Sequence, residues 1–244
     1  MIKAFLFIGA PAALIALASG FRLAASAEQN AGQRENTAPV IKIVLPADNS
    51  TVTPGAQVRF EITVSDKEDG ESRFDEINTR EVLLQVRYIS ESSGLAAARK
   101  QSIEKDPPGL AAMRSSNCFN CHNFDTRSIG PAFTEIRKRY EPTPSNMALL
   151  EKRVREGSTG VWGEAAMPTH AELSNEQIHD VIAWIMENAA DSNVRYYAGT
   201  QGSFQVPASP AYSAALLTAS YTDHGVDSGR GRLQGTDVVG VQIK

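Results

Sequence analysis

Two cysteines and a histidine stand together at Cys118-Phe119-Asn120-Cys121-His122, and the chain of 244 residues has no other cysteine. Thiols three residues apart, followed at once by an imidazole, have three chemistries open to them. Both thiols can add to the two vinyl groups of one haem as thioethers, with the adjacent His beneath the iron as proximal ligand. They could instead supply half of a tetrahedral zinc site, or act as a redox-active thiol pair. Zinc needs a second Cys/His pair, which the cysteine count forbids. A redox pair makes no use of the following His and expects a βαβ setting that the flanking residues lack. One covalently attached haem c is the chemistry this spacing favours.

A haem iron held by His122 has a sixth position to fill. Met113 lies in the helical stretch leading into the motif, and Met147 and Met186 lie in other helical stretches, where a core role is the ordinary one. Met167 stands in an aperiodic segment, Gly160-Val161-Trp162-Gly163-Glu164-Ala165-Ala166-Met167, and Pro168 stiffens the chain behind it. His170 is the competing ligand and would give a bis-His haem. His179 falls in a helical stretch and His224 in a turn, so ordinary surface or core roles suit both.

The elements that must carry these residues read as three textures. Strand patterns come first: the β-branched run 40–45, strict alternation at Val58, Phe60, Ile62 and Val64, and a further strand over 82–89 that closes by Gly94. Helical periodicity runs from about Lys105 to Ala190. Pro107-Pro108 opens a helix toward Cys118, a second fits 132–140, and a third is capped by Ser145 and ends at Gly157. The last opens on the capping box Ser174-Asn175-Glu176-Gln177 and carries Ile178, Val181, Ile182 and Ile185 on one face. Strand patterns then return from Val194, over 202–207, 216–221 and 237–243.

The first 27 residues read as a signal peptide. Lys3 gives a basic start, residues 4–18 form an apolar run broken by Pro11, and Ala25-Ser26-Ala27 is a cleavage pattern. The run is short for the ~20 residues of a membrane helix, so a membrane role requires the leader to stay uncleaved. The expected destination is a bacterial periplasm. A formal net charge of −4 argues against nucleic acid as a partner.

The helical region resembles a known family. Ser128-Ile129-Gly130-Pro131-Ala132-Phe133, then Gly157-Ser158-Thr159-Gly160-Val161-Trp162-Gly163, then Met167-Pro168, are similar to small bacterial class I cytochromes c of the c-551/c-552 type. That resemblance implies Met167 as distal ligand and the Pro131 carbonyl as acceptor for the ring N–H of His122. It also implies a hydrogen bond from the Trp162 indole to a haem propionate, with plain core packing as the alternative role. Thr169-His170 departs from the family, where many relatives carry a second Pro and an Asn.

The two β blocks resemble one Ig-like/PKD-type domain of exported bacterial proteins. The similarity rests on Ala38-Pro39-Val40-Ile41, Leu45-Pro46-Ala47-Asp48-Asn49 and residues 64–70 on one side, and Gly202-Ser203-Phe204 and residues 217–223 on the other. Neither block alone can close two sheets over a core; together they supply about seven strands. The expected fold is therefore an all-α class I cytochrome c domain inserted into an all-β immunoglobulin-like sandwich formed by the N- and C-terminal segments. The expected division is signal peptide 1–27, linker 28–37, sandwich 38–90, cytochrome domain 100–190 and sandwich again 191–244. Asp66, Glu68 and Asp69 form an acidic turn that either binds calcium or is simply solvated.

Together these readings predict a periplasmic electron carrier rather than an enzyme. Its partners would be redox proteins, a dehydrogenase as donor and an oxidase or another cytochrome as acceptor. By resemblance of architecture, a quinone-cofactor sugar dehydrogenase is a candidate donor. The rival classes are a carbohydrate- or partner-binding sandwich with a subordinate haem module, and a haem enzyme or sensor opened by loss of Met167.

Overall fold

The computed structural model describes residues 35–90, 94–100, 105–226 and 231–244. The expected leader lies outside them. Strands β1 (Val40–Leu45), β2 (Thr51–Val52), β3 (Gln57–Asp66), β4 (Gly70–Glu71) and β5 (Leu83–Ile89) come first. Five helices follow: α1 (Gly94–Lys100), α2 (Pro108–Ser115), α3 (Phe133–Arg139), α4 (Pro144–Glu156) and α5 (Asn175–Asn188). The chain ends with β6 (Val194–Ala198), β7 (Gln201–Gln205), β8 (Ala214–Thr222) and β9 (Gln234–Ile243).

Both sheets draw on both ends of the chain. In the first, β1, β4 and β7 all pair antiparallel with β3, so C-terminal β7 completes an N-terminal sheet. The second runs β2-β9-β8-β5-β6, antiparallel except for the β2–β9 pair. The alternation in β3 turns Phe60, Ile62 and Val64 inward, where they meet Leu84, Val86, Leu217, Tyr221, Val239 and Val241 in one core. The fold class is thus the expected one: a helical domain inserted into an all-β sandwich built from the N- and C-terminal segments.

The second sheet is covered on both faces, which is why β8 is buried over almost its whole length. On its outer face Ala214 and Leu216 pack under Leu95 of α1. Helix α1 was not expected; the sequence reading placed no element between Gly94 and Lys105. Farther along that face, Leu83, Val194 and Tyr196 join the core of the helical domain itself. Tyr196 lies 5.0 Å from Trp184 and 5.2 Å from Phe124 between ring centroids. Guest and host therefore share apolar contacts rather than hanging on a tether.

Within the helical domain the caps explain the boundaries. Ser174 Oγ accepts from the Gln177 N–H at 3.2 Å while Gln177 Oε1 takes the Ser174 N–H at 2.9 Å, completing the capping box of α5. The cap of α4 is Thr143, not Ser145: its Oγ1 accepts from Asn146 N and Pro144 occupies the first helical position. Helices α2 and α5 cross at Gly109, where a Cβ would stand 2.3 Å from the Asp180 carbonyl oxygen. Only glycine permits that approach.

Candidate functional site

Helix α2 delivers the motif. It ends at Ser115 with Ser116 as its cap, Asn117 turns the backbone left-handed at φ 55°, and residues Cys118–Asn120 wind into a 3₁₀ turn. Cys121 N–H and His122 N–H both donate to the Cys118 carbonyl, at 3.2 and 3.0 Å. One tight turn therefore carries both thiols, neither of which is in a disulfide. Burial pushes the Cys118 thiol up to about 12. A thiol that stays protonated is a poor redox nucleophile, so Cys118 does not suit the attacking role in a thiol–disulfide centre.

His122 is buried, and its Nδ1 lies 2.7 Å from the Pro131 carbonyl oxygen. Burial lowers its pKa, so the imidazole is neutral. With the Nδ1 proton donated to that carbonyl, the Nε2 lone pair is left for a metal. The ring stacks on Phe133 with centroids 5.4 Å apart and planes 16° apart. Its other wall is the backbone of Gly130, where an added Cβ would stand 2.5 Å from Cε1. Gly130 N–H also donates to the Cys121 carbonyl at 2.9 Å, stitching this loop to the motif.

A direct expectation follows for Gly130→Ala. The new methyl must displace the imidazole or the loop, at an overpacking cost of about 1–3 kcal/mol. Thermal denaturation should show a lowered midpoint, and NMR should show the His122–Pro131 hydrogen bond weakened. An unchanged midpoint would mean that the imidazole is not confined as described.

Met167 sits in a loop pinned at one point. Met167 N–H donates to the Ser158 carbonyl at 2.8 Å and Ser158 N–H to the Met167 carbonyl at 3.1 Å, just after Gly157 reverses the chain at φ +79°. The Met167 and Trp162 side chains are half-buried against the same apolar core that Cys118 touches. Trp162 is flanked by two guanidinium groups, Arg139 at 4.6 Å and Arg127 at 5.6 Å from the ring centroid. These arginines carry no signal in the sequence; Arg127 donates to the Trp162 carbonyl and Arg139 to the Val161 carbonyl, both on the same loop as Met167. Met113 and Met186 are buried in the core, Met186 as expected, whereas Met147 is only half-buried against it.

The Nδ1 of His170 lies 2.9 Å from Glu172 Oε1. His179 is exposed and paired with Glu151, and His224 lies on the sandwich between Asp69 and Glu81. The acidic turn closes on its own backbone, with Asp66 Oδ1 accepting from Glu68 and Asp69 N–H at 2.9 and 2.7 Å. Among the described residues no group of three His, Cys, Asp or Glu side chains is placed to hold a metal ion.

Two unoxidised thiols on one turn, a neutral oriented imidazole and the glycine clearance beside its ring fit a covalently attached haem. Comparison with known proteins gives the same direction. The family model described as Cytochrome c matches residues 108–189. Cytochrome c-552 of Nitrosomonas europaea is 30% identical over 73 residues, 30% of this chain and 71% of that protein. Cytochrome c-551 of Pseudomonas aeruginosa is 30% identical over 82 residues, 34% of this chain and 76% of that protein. Cytochrome c2 of Rubrivivax gelatinosus is 36% identical over 74 residues, 30% of this chain and 87% of that protein.

Proposed function

Because the chain belongs to the cytochrome c family through its helical domain, we propose that it is a monohaem electron carrier of the bacterial periplasm. Cys118 and Cys121 would hold the haem covalently, His122 would ligate the iron through Nε2, and Met167 would be the opposite ligand. The His122–Pro131 contact carries this reading, because it leaves the one ring nitrogen that a metal needs both deprotonated and fixed in direction. A haem held by His122 and Met167 would supply one-electron chemistry. The protein's share is to hold that imidazole, exclude water around it and keep its proton on Nδ1. Trp162, with Arg127 and Arg139 beside it, offers an N–H donor in a positive setting suited to propionate carboxylates.

The partners in this reading are redox proteins, a dehydrogenase (a quinone-cofactor sugar dehydrogenase by analogy of architecture) as donor and an oxidase or cytochrome as acceptor. The proposed division is a signal peptide over 1–27, a linker over 28–37, an Ig-like sandwich over 38–90 and 191–244, and the cytochrome domain over 100–190.

Acid–organic extraction of the purified protein tests the attachment. Haem should stay on the polypeptide, and Cys118→Ser with Cys121→Ser should abolish it; haem in the organic phase from the unaltered protein would end the cytochrome reading. Met167→Ala should then lose the weak red charge-transfer band of a Met-ligated ferric haem, while His170→Ala keeps it. The opposite pattern would transfer the ligand role to His170.

A further inference from the structure

The sandwich reaches into the motif through one side chain. Arg80 sits in the 3₁₀ turn Thr79–Glu81 immediately before β5, its N–H held at 3.1 Å by Asn78 Oδ1. From there its guanidinium crosses to the helical domain. Nε donates to the Phe119 carbonyl at 2.9 Å and Nη2 donates to the same oxygen. Nη2 also reaches Asn123 Oδ1 at 2.7 Å, and Nη1 reaches back to the Ala198 carbonyl of β6 at 3.2 Å. Phe119 lies between the two cysteines and Asn123 directly follows His122, so the fork grips the motif at both ends.

The charge in this fork is not neutralised where it sits. Every acceptor just named is a neutral carbonyl or amide oxygen, and among the described residues no carboxylate forms an ion pair with Arg80. An arginine so placed remains protonated at any working pH.

We propose that Arg80 is a positioning residue, donated by the β sandwich, that holds the 118–123 segment in register for its haem and raises the reduction potential of the site through its fixed charge. A part-buried cation disfavours the oxidised centre, which carries one more positive charge than the reduced one. The fork adds direction, since two N–H groups on one carbonyl and a third on Asn123 leave the turn little freedom to rotate. On this account the sandwich acts on the redox chemistry itself, through a residue outside the stretch 108–189 that the family model matches.

This inference rests on covalent haem at Cys118 and Cys121, so the test begins by measuring haem per polypeptide in the full-length protein. Haem missing from the unaltered chain would refute the attachment, a failure distinct from any result below. With haem present, Arg80→Met should lower the midpoint potential measured by spectroelectrochemistry while the Met-ligation band persists. Arg80→Lys keeps the charge but cannot fork, so its potential should fall between the other two. In that variant the Cys121 and His122 amides should exchange with solvent roughly tenfold faster, the loss of about one net hydrogen bond. A wild-type potential in Arg80→Met overturns the proposal. Should that variant not accumulate, Arg80→Lys decides: unchanged potential together with unchanged exchange overturns it, and a lowered potential with faster exchange supports it.

Discussion

A chain ending at Ala190 should fail to form a soluble folded protein. Strand β5 would lose both neighbours, β6 and β8, and β3 would lose β7. Of the second sheet only β2 and β5 would remain, and these two are not adjacent. Leu84 and Val86, fully buried in the intact protein, would face water without Leu217, Tyr221, Val239 and Val241 above or beside them. The helical domain would suffer too, since Val194 and Tyr196 complete its own core. The loss exceeds the 5–15 kcal/mol that holds a typical domain together, and unpaired strand edges promote association. Sedimentation and far-UV circular dichroism should report aggregates. A soluble monomer whose β1 and β3 amides resist hydrogen exchange would instead show that the N-terminal strands stand alone, against the shared core described above.

The second large effect belongs to Arg114, which makes the reverse journey to Arg80, from α2 into the sandwich. Its Nη1 donates to the Glu81 carbonyl at 3.0 Å, and Nη2 to the Ser220 carbonyl at 3.3 Å and to Ser220 Oγ. Nε stands 2.7 Å from Asp106 Oδ2 as an ion pair out of hydrogen-bond alignment. The side chains of Arg114 and Asp106 are only 5% and 6% exposed. Arg114→Ala leaves the Asp106 carboxylate buried with Gln234 as its remaining partner, a change that typically costs about 3–5 kcal/mol. Denaturant titration should show that loss, and Asp106→Asn with Arg114→Met should cost less than the two single changes added together. A loss below about 1 kcal/mol in Arg114→Ala would mean that water reaches the pair.

What the sequence makes legible and what it hides follow from the range of the interactions involved. The covalent spacing of Cys118, Cys121 and His122 is local, and so are the alternation in β3 and the Ser174 capping box; each is readable from a few neighbouring residues. The shared core of 38–90 and 191–244 was legible as a count of strands too few to close alone. Helix α1 was missed although Ala96-Ala97-Ala98 is a strong helix former, because its burial depends on β8, far along the chain. The Thr143 cap was overlooked in favour of Ser145, two residues on, where proline already fixes the helical start. Arg80 and Arg114 gave no signal at all. Their partners across the domain boundary lie more than thirty residues away, and nothing in a local pattern marks an arginine that will cross between domains.

The place of the insertion also bears on how the protein folds. Strands β5 and β6 pair antiparallel as a hairpin would, Arg87 opposite Val194, yet the whole helical domain lies between them in sequence. Closing a disordered loop of about a hundred residues costs about 3 kcal/mol more entropy than closing a four-residue turn. The crossing of α2 and α5 at Gly109 brings the domain's two ends close together, so a helical domain that folds first removes most of that penalty. The second sheet must in any case wait for β9, the last of its strands along the chain, before it can close. With the helical domain folded first, the turn of residues 118–122 is built before the sandwich brings Arg80 onto it.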